Sequence, residues 1–216
     1  MGLFGPEMLY RIPALLIAIT FHEYAHGRIA LAWGDNTAKR EGRLTLNPIS
    51  HLDPIGALMV ILVGFGWARP VPVNPFNFYD QKKGMFWVSL AGIAANLIIA
   101  FVGILFFVSY MRFQPDPYLM GGPGIFVGII NWVIIINVYL AIFNLVPLPP
   151  LDGSKVLSSV LPRQYLEQYH AIEPYAPMIL IFLLITGFLP MILRPIASAI
   201  ISIFEMLAMF LTGLIF

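Results

Sequence analysis

Long uncharged runs dominate the chain. Met85–Met111, Gly124–Pro147 and Pro174–Leu193 contain no charged residue, and Pro195–Phe216 contains one, Glu205. A helix that crosses a bilayer needs about 20 mostly apolar residues, so each run predicts one span. A fifth window, Leu9–Trp33, is apolar apart from Arg11, Arg28 and a polar cluster at 22–26. A sixth stretch, Ile55–Trp67, is too short to cross, is rich in glycine and runs into ARPVPVNP. That pattern predicts a re-entrant hairpin or β segment over about 55–78. The expected fold is an all-α polytopic membrane protein of about five transmembrane helices plus this short re-entrant element. All of it forms a single domain over 1–216. At Pro190–Pro195 either two helices meet or one helix is broken.

Composition strengthens the membrane reading. Of 216 residues, 59% are hydrophobic and 11% charged, whereas soluble domains carry about 25% charged residues. Net charge is +1, so neither nucleic acid nor another polyanion is implied as a partner. The absence of cysteine excludes disulfides and thiolate metal sites. The opening MGLFGPEMLYRIP lacks the pattern of a cleaved signal peptide and is expected to be retained. With five spans, Arg11, Arg112 and Arg194 fall on one side and the other nine of the 12 basic residues on the opposite side. The positive-inside bias makes the richer side cytoplasmic, with the N-terminus outside and the C-terminus inside.

The polar cluster within the first window is HEYAH. His22 and His26, four apart, share one face of a helix about one turn apart. Two imidazoles so placed can bind one zinc ion, and Glu23 between them can take a proton from water that zinc has acidified. Three ionisable groups within five residues at membrane depth are costly, and such groups by default mark a functional site. A metal would compensate them. The bland alternatives are polar residues that line a pore or pair with each other.

Catalytic zinc wants three protein ligands and one open position. His51 and His170 lie outside the long apolar windows; His51 and Asp53, in NPISHLDP, read as loop organisers. The stronger third candidate is Asp152, in NLVPLPPLDG at 144–153. Prolines 147, 149 and 150 break the preceding helix there, and non-helical backbone at membrane depth is tolerated only where it lines a protein cavity. Taken alone, an Asp-Gly pair would read as a turn. Both motifs nevertheless fall on the cytoplasmic side of their spans.

HEYAH and NLVPLPPLDG, in this order and on separate spans, resemble the site-2 protease family of intramembrane zinc metalloproteases (peptidase family M50). The resemblance covers most of the chain. RLTLNPISHLDPIGALM is similar to the stretch after the family's first catalytic helix, and GWARPVPVNP to its re-entrant hairpin. SLAGIAANLIIA resembles its A-G-P-x-A-N helix, with Ile93 where proline is usual. The resemblance implies one Zn2+ per chain held by His22, His26 and Asp152, with Glu23 as catalytic base. It implies that Asn96 and Asn144 line the site, holding substrate backbone or stabilising an oxyanion; helix–helix hydrogen bonds are the equal alternative. It also implies a membrane-protein helix as substrate. Such a helix must unwind before attack, and a sheet edge could then pair with its freed backbone. Trp67–Phe78, with Val71 and Val73, is the expected edge.

Larger relatives carry a PDZ-like or CBS domain, for which these 216 residues leave no room, so regulation would come from a membrane partner or self-association. The lack of a transit segment suggests a prokaryotic inner membrane. Two other functions compete with the protease. An ion or proton transporter would need further ionisable residues along the other spans, and those are nearly absent. An inactive substrate-binding relative would need a lost ligand or base, and none of the four is lost.

Overall fold

The computed structural model describes residues 7–63, 66–113 and 124–215. Residues 64–65 of the expected re-entrant element, Phe216 of the last window and residues 1–6 of the opening segment lie outside them. The helices are α1 (Met8–Ala32), α2 (Thr37–Arg40), α3 (Pro54–Val63), α4 (Gln81–Phe113), α5 (Ile125–Asn144), α6 (Asp152–Val160), α7 (Arg163–His170), α8 (Ala176–Ile185) and α9 (Phe188–Ile215). Among the described residues there is no strand, only an isolated antiparallel bridge between Leu52 and Ala68. Four segments are long and apolar enough to cross a bilayer: Gln81–Phe113, Ile125–Asn144, Arg163–Ile185 and Phe188–Gly213. The 25-residue α1 is as long but carries HEYAH and two arginines.

The break between the last two spans is not where the prolines suggested. α8 stops at Ile185, and Gly187, at φ +73°, turns the chain. Its N–H closes on Leu184 O, a left-handed ending that glycine adopts without a Cβ penalty. Pro190 then falls in the first turn of α9, where its missing N–H has no helical partner to lose. Pro195 lies inside that continuous helix.

The packing follows two stripes of every-fourth residues. On α1 the buried set includes Ala14, Ala18, His22, His26 and Ala30. On α4 it includes Val88, Gly92, Asn96, Ala100 and Ile104. Residues four apart lie one above the other, so each stripe is one ridge. The ridges meet antiparallel: His26 bonds Val88 O near one end, and Ala18 O meets Asn96 further along. Small residues flanking the histidines let the backbones close, as in membrane helix pairs generally. α4 also packs against α5, α6 and α9, which makes it the central post. The largest core cluster joins Ala100 of α4 and Val138 and Ile142 of α5 to Leu180 of α8 and Leu189, Leu193 and Ala197 of α9. Leu151, one residue before Asp152, belongs to it and anchors the start of α6.

Candidate metal centre

His22 and His26 project from the buried ridge of α1 toward α4 and α6. Their Nε2 atoms lie 2.9 Å apart. Asp152 Oδ2, from the first turn of α6, is 3.1 Å from His22 Nε2 and 3.0 Å from His26 Nε2. All three side chains are buried. Sequence reasoning named these residues from two distant motifs, and the fold brings them together. The N-terminal end of α6 favours the carboxylate electrostatically, and Lys155 Nζ approaches its other oxygen at 3.5 Å.

The donor set fits a metal. His22 Nδ1 lies 2.6 Å from Asn96 Oδ1, and His26 Nδ1 lies 2.7 Å from Val88 O. A main-chain carbonyl only accepts, so His26 Nδ1 must donate. Asn96 Nδ2 donates to Ala18 O at 3.1 Å and to Asn137 Oδ1 at 2.7 Å. Its Oδ1 therefore faces His22, whose Nδ1 donates as well. In neutral imidazoles both Nε2 atoms are then bare lone pairs. Two lone pairs and a carboxylate oxygen thus converge within about a hydrogen bond's length, an arrangement that a shared cation reconciles. Ligand atoms around tetrahedral zinc, with bonds of about 2.0–2.1 Å, lie about 3.3 Å apart. The observed 2.9–3.1 Å is a few tenths closer.

Two parts of this centre were not foreseen. Asn137, fully buried on α5, donates to Val133 O at 2.8 Å and accepts from Asn96. It completes an amide relay from α5 through α4 to His22. Its one signal was being an asparagine in an uncharged window, which it shares with Asn131 and Asn144. Gly92 is the other part. A Cβ there would stand 2.6 Å from His22 Cε1 and 2.6 Å from His26 Nε2, so glycine is what lets α4 lie flat against both rings.

The remaining expected site residues are distributed differently. Glu23 is buried, and its Oε2 accepts from Val71 N at 2.7 Å. Asn96 sits at the centre, but both of its amide hydrogens are engaged, so it has no free donor for an oxyanion. Asn144 donates to Leu140 O of its own helix at 3.0 Å. The side chain of Val71 is buried, within reach of Gly27, and Val73 packs on the cluster of Ala30, Phe78 and Val88. The two valines thus seat the extended segment on the C-terminal half of α1 rather than displaying side chains outward. His51 bonds Thr45 O at 2.8 Å and Asp53 accepts from Gly56 N at 2.7 Å; both organise the loop.

A helical membrane protein with two histidines and one carboxylate converging in its interior has the donor set of a metal centre with an open position. Comparison with known proteins makes the class specific. The family model described as Peptidase family M50 matches residues 122–186. "Putative zinc metalloprotease YwhC" of Bacillus subtilis is 38% identical over 192 residues, which is 89% of this chain and 87% of that one. Two proteins with the same description are more distant. MJ0611 of Methanocaldococcus jannaschii is 31% identical over 63% of both chains, and Rip2 of Mycolicibacterium smegmatis is 27% identical over 81% of this chain and 66% of its own. No solved structure matches. The chain belongs to peptidase family M50. It is a zinc metalloendopeptidase and an integral membrane protein.

Proposed function

We propose that the protein cleaves peptide bonds within or near transmembrane segments of other membrane proteins, with His22, His26 and Asp152 as the zinc ligands and Glu23 as general base. The observation that carries this reading is the convergence of two imidazole nitrogens and a carboxylate oxygen beside the buried ridge of α1. Bound zinc supplies Lewis acidity toward water and toward a carbonyl oxygen. Glu23, one residue from a ligand, takes the proton from the attacking water and delivers it to the departing nitrogen. The Val71 N–H holds one carboxylate oxygen and leaves the other for that task. The Nδ1 protons of His22 and His26 are held by Asn96 Oδ1 and Val88 O, which leaves both Nε2 lone pairs for the metal.

The substrate must be unwound to be cut, and its freed backbone needs partners that lipid does not offer. The extended segment after Trp67 can supply them by strand addition. Its backbone is already used up to Val71, and among the described residues the Val73 N–H has no partner. With α1 as a fifth span, the centre faces the cytoplasmic side of a prokaryotic inner membrane, and the N-terminus lies outside.

The test is cleavage of a membrane-helix substrate reconstituted with the purified protein. Glu23→Gln should keep its zinc and lose cleavage by about 100-fold or more, as expected for removal of a general base. Val73→Pro should keep zinc and weaken cleavage by raising KM. Undiminished cleavage by Glu23→Gln rejects the mechanism, and an unaltered KM in Val73→Pro rejects the docking edge.

A further inference from the structure

Glu23 owes its position to a backbone amide, and that amide lies in a segment with little regular structure to hold it. Pro70 and Pro72 lack N–H groups, so Arg69–Val73 cannot make a continuous ladder. One bridge, Leu52 to Ala68, and one bond, Arg69 N to His51 O at 2.9 Å, secure its start. Past these, the support comes from a side chain. Arg43 Nη2 donates to Arg69 O at 2.9 Å and to Pro70 O at 3.2 Å. The next residue is Val71, whose N–H holds Glu23.

Arg43 is an unusual residue to find there. It is buried, with 9% of its surface exposed, although arginine is rarely buried unless paired. Among the described residues no carboxylate bonds it directly, and its Nε has no hydrogen-bond partner. Its own backbone is fixed, with Arg43 N donating to Ala38 O at 2.8 Å. Burial and the neighbouring Arg69 push the guanidinium below the usual arginine range, while Glu23 and Glu41 pull the other way.

We propose that Arg43 is a positioning residue for the general base: its guanidinium clamps the Arg69 and Pro70 carbonyls so that the Val71 N–H holds Glu23 in line. The inference rests on the role of Glu23 proposed above. A planar donor group suits the task, because one Nη can fork between two successive carbonyls while the delocalised charge is only weakly hydrated. It also separates two functions of one segment: the backbone up to Val71 orients the base, and the backbone after it is left for substrate.

The test uses the full-length zinc-loaded protein in bilayer nanodiscs, as wild type, Arg43→Gln and Arg43→Lys. Hydrogen exchange over 67–74 should quicken by about tenfold in Arg43→Gln, with exchange along α4 unchanged, since loss of the clamp opens that segment locally. Zinc content should stay at the wild-type level. On a co-reconstituted membrane-helix substrate, kcat should fall about 100-fold, the scale of an ångström of misplacement, while KM stays within about threefold. Arg43→Lys should recover part of both effects. A normal kcat per zinc-loaded molecule overturns the proposal. So does a rise in KM alone, which would assign Arg43 to substrate docking, or a lower kcat with unaltered exchange. If Arg43→Gln does not fold, Arg43→Lys gives the same readings at smaller amplitude, and wild-type values there overturn it equally. Full cleavage by Glu23→Gln would remove the base itself, whereas the exchange result reports the clamp on its own.

Discussion

His22 can serve a metal through Nε2 only if its proton sits on Nδ1, and three residues from two neighbouring helices decide that. Val133 O fixes the direction of the Asn137 amide, Asn137 fixes Asn96, and Asn96 accepts from His22. Partners of this kind commonly contribute 10- to 100-fold in metal affinity. Asn137→Leu should therefore weaken zinc binding by about that factor, measured by competition with a chelator, while secondary structure is kept; unchanged affinity would mean that the relay does not orient the ligand. His22, Glu23 and His26 were legible because ionisable groups are conspicuous in an apolar helix, and Asp152 because it follows a proline-broken span end. The relay was not, because amides carry no charge and their partners come from spans remote in sequence. Nothing local distinguishes Asn137, which the relay uses, from Asn144, which bonds its own helix. Arg43 was hidden for another reason: its partners are main-chain carbonyls, which no side-chain pattern announces.

At the scale of elements, the apolar windows foretold α4 and α5 well, because uncharged length is a direct requirement of the bilayer. The helix end at Gly187 was missed because proline is a weak stop in a first turn, where it deletes no hydrogen bond. The segment after Trp67 is extended, as its prolines suggested, but it is held by side chains rather than as a sheet. Asp35 is the second such support. It follows α1, and its carboxylate accepts from Asn74 N at 2.7 Å, from Asn77 Nδ2 at 2.7 Å, from Thr37 N at 3.1 Å and from the Thr37 hydroxyl. Burial pushes this carboxyl up, but the bonds from Thr37, Asn74 and Asn77 outweigh burial and hold it below the usual carboxylate range. The folded state thus binds fewer protons here than the unfolded state, so its stabilisation is complete above pH ~4 and is lost as pH falls further. Thermal unfolding should show Asp35→Asn less stable than wild type at pH 7, with the gap closing toward pH 3. A gap that stays constant would show that the carboxylate charge is not what ties the segment to α1.

For the whole molecule, charge distribution predicts which end of the bundle opens to which compartment. Because the chain has no cysteine, single cysteines report topology cleanly. In a bacterial inner membrane, Lys39→Cys should react with an impermeant reagent only once the cytoplasmic face is exposed, and Arg112→Cys should react from outside; the opposite pattern would invert the bundle and put the centre on the other side. That centre is buried by α1, α4 and α6 together, so its ligands are united by the assembled fold alone. The most direct test is therefore zinc content with zinc-edge X-ray absorption on the purified protein in nanodiscs. The account predicts about one zinc per chain, at about 2.0–2.1 Å from two imidazole nitrogens and a carboxylate oxygen, and loss of that signal in His26→Ala and in Asp152→Ala. A metal-free protein, or zinc retained unchanged in both variants, would contradict it.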